Sequence, residues 1–225
     1  MKSVLIVGAG VGGIATAARL AKQGCSVTVL EKTERPGGRA SLIQEDGFTF
    51  DTGPSLFLMP ATFAATYAAL DERMEDHLDL ARINPTYRVH FHDDTTLDLT
   101  GDLLHMREQL DAIEPGSFES YLAFVAEGYR HYTLSLDRFV GRNFHNLGEF
   151  LSLPNLPLLF QLKALQKHHS DVARYFRSPK LRAAFSFQNM YLGLSPYDAP
   201  ATYTLLQFTE LAEGVWYCLL YTSDA

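Results

Sequence analysis

The chain has 225 residues, 20% of them charged and 47% hydrophobic, with 16 glycines and 10 prolines. These figures exclude collagen-like, coiled-coil and wholly disordered classes. The formal net charge of −7 argues against a nucleic-acid partner, because an acidic surface is repelled by a phosphate backbone. Two cysteines, Cys25 and Cys218, make neither a disulfide framework nor a zinc set, and they suit a reducing compartment. No stretch approaches the roughly 18 uninterrupted apolar residues of a spanning helix. The first apolar run passes straight into glycines, so no signal peptide is expected.

Residues 2–7 are β-branched and apolar and predict a buried strand. Residues 14–22 are rich in alanine and leucine and predict a helix, with Gly24 placed to close it in a left-handed cap. Residues 26–30 form a second apolar run ending at Glu31, which completes a βαβ unit. Residues 33–53 are loop-rich, with short strands at 41–44 and 48–50. A helix opening on Pro60 follows, to about residue 70. Asp71, Glu72, Glu75, Asp76 and Asp79 then suggest a solvated acidic helix face.

Residues 87–92 and 95–99 predict a hairpin around Asp93 and Asp94. His90 and His92 alternate onto one face of it, where two histidines without further ligands are expected at the surface rather than on a metal. After Pro115 the pattern turns helical to about residue 212, with no metal set and no legible Ser/His/Asp arrangement. Phe118, Tyr121, Leu122, Val125, Tyr129, Tyr132, Leu136 and Phe139 share one helical face, which suits core packing or the wall of an apolar tunnel. Leu151, Leu153, Leu156, Leu158, Leu159 and Phe160 form an apolar stretch. Lys163, Lys167, Arg174, Arg177, Lys180 and Arg182 follow, with Asp171 as the one local opposing charge. Such a pairing of apolar and basic residues matches either an interfacial membrane contact or a core helix followed by a solvated one.

The chemistry is carried by Gly8, Gly10, Gly12 and Gly13, which lie in a G-x-G-x-x-G loop between the first strand and the first helix. In this context Gly8 makes the tight turn and Gly10 lets backbone approach a pyrophosphate. Gly13 allows close helix–strand packing, and the helix N-terminus faces the phosphates. Glu31 is placed to accept hydrogen bonds from ribose hydroxyls and to repel a 2′-phosphate, which disfavours NADP. Lys32 follows it. Gly37 and Gly38, flanked by Arg35 and Arg39, offer a second close approach and phosphate-balancing charge. Gly53 and Pro54 offer a third. An extended FAD crossing several loops calls for these additions, whereas a nicotinamide cofactor on a plain Rossmann unit does not.

The glycine loop resembles that of the FAD-binding fold shared by glutathione-reductase-like and amine-oxidase-like flavoproteins. The later residues narrow the resemblance. Ser195, Pro196, Tyr197, Asp198, Ala199 and Pro200, then Gly214, Val215, Trp216 and Tyr217, are similar to the carotenoid phytoene desaturase family, nearest its fungal-type branch. The resemblance runs from about Ser3 to Tyr217. It implies an α/β architecture in four parts. Residues 1–60 would form the first part of a Rossmann-like FAD-binding domain, incomplete here, and residues 61–115 a mixed α/β segment. Residues 116–217 would form a helical substrate and membrane region, and residues 218–225 an off-pattern tail.

The implied activity is desaturation of phytoene, a C40 hydrocarbon, by hydride transfer to flavin, with quinone or oxygen recovering the electrons. The implied location is the cytoplasmic side of a membrane, peripherally attached. Family members are about twice as long, so the chain is expected to be a fragment that is inactive alone. The alternatives are an amine-oxidase-like or retinol-saturase-like flavoprotein of the same fold, or a non-catalytic remnant. Asp51, Arg182 and Glu210 could each lie near the flavin, and none is assigned a catalytic role.

Overall fold

The structure is a computed structural model that describes residues 1–54, 56–153 and 155–218. All of the expected tail beyond Cys218 lies outside the described residues. The chain divides into two compact units, one of Met1–Arg82 with the segment from Trp216 onward, the other of Ile83–Val215. This division differs from boundaries near residues 60 and 115: the helix after Pro60 belongs with the glycine loop, and the hairpin belongs with the helices.

In the first unit, β1 (Ser3–Val7), α1 (Val11–Lys22) and β2 (Ser26–Leu30) form the expected βαβ unit, with β1 and β2 parallel from Ser3↔Ser26 to Val7↔Leu30. Gly24 closes α1 at φ +83°. Its N–H donates to Ala21 O, and Cys25 N–H reaches back to Leu20 O, the Schellman arrangement that satisfies the last carbonyls of a helix. β3 (Leu42–Glu45) and β4 (Phe48–Asp51) make an antiparallel hairpin through Asp46 and Gly47, both at positive φ. α2 (Pro60–Ala68) starts on its proline, and β5 (Leu80–Ile83) ends this part.

Two expectations are corrected here. β1 is not buried: Leu5 is 61% and Val7 82% exposed. Parallel strands are buried when a sheet extends beyond them and both faces are covered, and this sheet has two strands among the described residues. The acidic residues after α2 do not share a helix face. They lie in a turn and a short 3-10 segment, Met74–Asp76, where Asp71 pairs with Lys22 and Glu72 with His77.

The second unit opens with the expected hairpin, β6 (Tyr87–His90) and β7 (Thr96–Leu99), with His90 and His92 exposed. α3 (Leu103–Ile113) is capped by Asp102, whose carboxylate accepts from Leu104 and His105 N–H, the usual remedy for unpaired N–H groups at a helix start. α4 (Ser117–Ser135) widens into a π-helical turn, Leu136–Val140. The short helices α5 (Leu147–Phe150), α6 (Leu156–Gln161), α7 (His168–Val172) and α8 (Pro179–Ala184) follow. A 3-10 segment, Phe187–Leu192, precedes α9 (Thr204–Phe208), which runs into a second π-helical turn, Thr209–Glu213. Finally β8 (Val215–Cys218) pairs with β5.

The core of this unit gathers Leu97 and Leu99 from β7, Met106 and Leu110 from α3, Tyr121 and Phe124 from α4, and Phe176 and Phe185 around α8. Phe176 and Phe185 stack at 4.7 Å, and Phe124 meets both edge-on. The buried face of α4 is rotated from the expected one. It runs Ser117, Tyr121, Phe124, Gly128, His131, Ser135, a helical spacing on which two serines, a glycine and a histidine are core residues, while Leu122 and Tyr129 are exposed. Gly128 explains the rotation: a Cβ there would sit 2.7 Å from Thr204 O and 3.0 Å from Phe208 Cβ. The missing side chain is what lets α9 lie directly on α4.

Candidate functional site

The glycine loop follows from β1 meeting α1. Gly8 has φ +99°, a conformation that side chains rarely adopt, and its N–H extends the sheet by donating to Leu30 O at 2.7 Å. The first intrahelical bond runs from Ile14 N–H to Gly10 O. The N–H groups of Val11, Gly12 and Gly13 therefore have no acceptor within the helix and sit at its positive end. No acidic residue occupies the first turn, so nothing there competes with an anion. A Cβ at Gly10 or Gly12 would meet no atom within 4 Å, whereas one at Gly13 would run into the Gly8 carbonyl. Gly10 and Gly12 thus border open space, and Gly13 is where helix and loop touch.

Glu31, at the end of β2, turns its carboxylate back on this loop. It accepts from Ala9 N–H at 2.7 Å, Lys32 N–H at 2.9 Å, Thr33 N–H at 3.0 Å and the Thr33 hydroxyl at 2.9 Å. These donors hold its pKa at about 2, the Ala9 N–H contributing most. It is therefore a fixed anion beside the loop throughout the physiological range, suited to neutral hydroxyls and hostile to a further phosphate.

The second and third glycine segments make close approaches, but to the chain itself. Gly37 N–H donates to Ala9 O at 2.8 Å, and Gly37 bridges to Gly10. A Cβ on Gly38, at φ +62°, would lie 3.2 Å from Gly10 Cα. One on Gly53 would collide with the Arg39 carbonyl, a junction set up where Thr52 N–H and hydroxyl both bond Ser41 O at 2.9 Å. Of the predicted residues, Gly13 therefore packs on Gly8, Glu31 on Ala9, Gly37 and Gly38 on Ala9 and Gly10, and Gly53 on Arg39, with Gly12, Lys32 and Pro54 adjacent to them in sequence. Arg35 bonds Gln44, and Arg39 and Lys32 have exposed side chains.

Of the three acid–base candidates, Asp51 is exposed, Arg182 donates to Phe176 O at 2.7 Å, and Glu210 is 1% exposed. Glu210 accepts from the Tyr87 hydroxyl at 3.2 Å. The second unit also holds an ionic network that sequence reading missed. Lys163 lies 2.9 Å from Glu127 and 2.8 Å from Asp171, while Arg130 and Arg174 pair with the same two carboxylates. Fully buried His131 and His168 flank it, and burial pushes both pKa values down, His168 to about 4. The helical spacing of Glu127 and His131 was the available signal. The partner lysine, 36 residues further along the sequence from Glu127, gave none.

The basic run after residue 160 is corrected by the same contacts. Lys163 serves the network, Arg177 pairs with Glu114, and Lys180 with Asp93. Lys163, Arg174, Arg177 and Lys180 are thus paired with carboxylates, while Lys167 and Arg182 donate to the carbonyls of Asp198 and Phe176. In the apolar stretch before this run, Leu153 is 82% and Phe160 72% exposed while Leu158 is buried, and Leu165 beyond that stretch is 78% exposed. No helix among the described residues is long and apolar enough to cross a membrane.

The fold and loop geometry define a dinucleotide-binding α/β class, and comparison with known proteins makes this specific. Residues 11–220 match the family model described as flavin containing amine oxidoreductase, and the chain belongs to that family. It is 50% identical over 216 residues to a zeta-carotene-forming phytoene desaturase of Myxococcus xanthus, covering 96% of this chain and 42% of that protein. It is 47% identical over 217 residues to a phytoene desaturase of Phycomyces blakesleeanus, covering 96% of this chain and 37% of that protein. The chain thus spans about two fifths of the length of these relatives. Among solved structures, an oxidoreductase from Methanosarcina mazei superposes with TM-score 0.61 at 15% identity, over 97% of this chain and 45% of that one. Cyclohexylamine oxidase from Brevibacterium oxydans gives 0.57 at 20%, over 96% and 46%. These two likenesses concern the fold. The resemblance to phytoene desaturases and the flavin cofactor read from the sequence both agree with the family match and the similar relatives.

Proposed function

We propose that the protein to which this chain belongs is an FAD-dependent desaturase of phytoene or a closely similar polyene. The observation that carries the reading is the 50% identity, over almost the whole chain, to a zeta-carotene-forming phytoene desaturase. The geometry of the first unit supports it. The free N–H groups at the start of α1 and the open space at Gly10 and Gly12 suit a pyrophosphate, and the Glu31 carboxylate suits the adenosine ribose. Gly37, Gly38, Arg39, Gly53 and Pro54 would carry the binding surface onward, with Lys32 and Arg39 free to balance phosphate charge. Bound there, FAD would supply the hydride acceptor for dehydrogenation. The chain's own part is to hold that group, exclude water and orient a hydrocarbon that offers no hydrogen bond, so that affinity rests on buried apolar area.

An insoluble substrate favours a peripheral membrane contact, and the resemblance to phytoene desaturases adds a cytoplasmic-side location and quinone or oxygen as the final oxidant to the proposal. Exposed Leu153, Leu156 and Phe160, with nearby Leu165, are the proposed contact. Because four of the six neighbouring cations are paired with carboxylates, attachment should follow apolar insertion more than anionic lipid. The test is incubation of the continuous full-length protein with phytoene in liposomes. Coloured polyene products are expected, and a flavin-loaded protein that leaves phytoene unchanged would move the substrate elsewhere.

A further inference from the structure

Much of the apolar stripe that periodicity places on α4 lies at the edge of the core rather than in it. Leu122, Val125, Tyr129, Tyr132 and Leu136 recur at intervals of three and four residues, so they share one face of the helix and of the π-helical turn that continues it. Leu122 is 44% and Tyr129 56% exposed, and the other three are half-buried. The core face of the same helix, through Phe124, Gly128 and His131, is already filled. Glu119, Glu127 and Arg130 stand on a third face. One side of α4 is thus given to the core and one to charge, and the third is an apolar face that the described residues cover only in part.

Phe208, at the end of α9, borders this face along one side. Its ring lies 5.1 Å from that of Tyr129 and 5.3 Å from that of Tyr132, a reach set up by the close approach of α9 at Gly128. The Tyr132 hydroxyl donates to Glu213, which leaves the ring as the part of Tyr132 on offer. From Leu122 to Leu136 the stripe runs about 21 Å at the helical rise per residue, and no charged residue of α4 falls on it. A matching ligand is long, thin and neutral. An extended peptide would bring N–H and C=O groups that this face cannot satisfy, whereas a hydrocarbon brings none. Aromatic rings also offer flat faces to double bonds.

We propose that this face of α4, with Phe208 beside it, is one wall of the polyene site and holds the hydrocarbon along the helix axis. The inference rests on the desaturase reading above and adds where this chain grips the substrate. The match is one of charge as well as shape: a neutral ligand meets the uncharged sector of a helix whose next sector is charged. Binding there draws its strength from apolar area removed from water. Leu122 and Tyr129, the two most exposed of the five, are the side chains with most area to contribute.

The test uses the flavin-loaded full-length protein with phytoene in liposomes. Leu122→Gln and Tyr129→Gln should each raise KM for phytoene about tenfold, with kcat, flavin stoichiometry and thermal stability near wild type, because uniform binding is what is lost. Tyr129→Phe keeps the ring and should stay near wild type. An unchanged KM in both glutamine variants would overturn the wall. So would a marked loss of thermal stability, which would show the face packed against another part of the protein, or a matching loss of liposome co-sedimentation, which would give the face to lipid. A wild type that leaves phytoene unconverted would instead overturn the desaturase reading. Co-elution of phytoene with the protein on gel filtration would then decide the wall separately: weaker co-elution in the glutamine variants would uphold it, and equal or absent co-elution in all would overturn it.

Discussion

Gly10, which precedes the first helical residue of α1, and Gly13, in its first turn, carry different duties, and substitution separates them. Gly10 borders open space and Gly13 touches the Gly8 carbonyl. Gly10→Val is therefore expected to leave thermal stability nearly unchanged while abolishing flavin retention. Gly13→Ala should cost roughly 1–3 kcal/mol through forced backbone displacement, measured by denaturant unfolding. A Gly10→Val protein that keeps stoichiometric flavin would show that the phosphates lie elsewhere. His168 gives a second residue-level expectation. Its pKa lies near 4 because burial opposes its charge, against about 6.5 unfolded. Between those values the unfolded chain binds the extra proton, so the wild type should lose stability relative to His168→Asn as pH falls from 6.5 to 4, by a few kcal/mol at most. Glu210, whose pKa burial raises to about 7, slopes the opposite way, which is why the difference between variants, rather than the wild-type curve alone, reads the effect. A flat difference across that range would contradict the assignment.

At the level of elements, the packing of α4 on α9 depends on Gly128. Gly128→Ala places a methyl 2.7 Å from Thr204 O and should destabilise by about 1–3 kcal/mol, whereas Tyr129→Ala, at an exposed neighbouring position, should change stability far less. Equal effects would mean that the helices do not meet at this face. The same helix shows where sequence reading stops. Its existence was plain from periodicity, but counting aromatic residues put its buried face on Leu122 and Tyr129. The true face includes Ser117, Gly128, His131 and Ser135, buried because of what crosses them rather than because they are apolar. By contrast β1, α1 and β2 were legible down to the Gly24 cap, since glycine placement, helix propensity and β-branching all act locally. Glu31 could be placed beside the loop from its spacing alone. The use of Gly37, Gly38 and Gly53 in holding the loops to one another could not, because it depends on which backbones meet.

For the molecule as a whole, charge balance is a property of the fold rather than of sequence neighbourhoods. Along the chain the basic run after residue 160 has only Asp171 to oppose it, yet Glu114, Glu127 and Asp93 reach it from elsewhere. Membrane attachment is accordingly expected to depend on apolar side chains. Replacing Leu153, Phe160 and Leu165 by serine should reduce liposome co-sedimentation severalfold, with little dependence on the anionic lipid fraction; unchanged co-sedimentation would remove this surface from the account. The contact of Tyr87 with Glu210, 123 residues apart in sequence, was invisible for the same reason, although Glu210 itself had been singled out.

The central claim is that the loop from Gly8 through Arg39 holds FAD in a polyene desaturase. The most direct measurement is the visible spectrum and flavin stoichiometry of the purified full-length protein beside its Gly10→Val variant, each then incubated with phytoene in liposomes. The account requires about one FAD per chain and coloured products from the wild type, and neither from the variant. A folded wild-type protein without flavin, or a variant that keeps it, would contradict the claim.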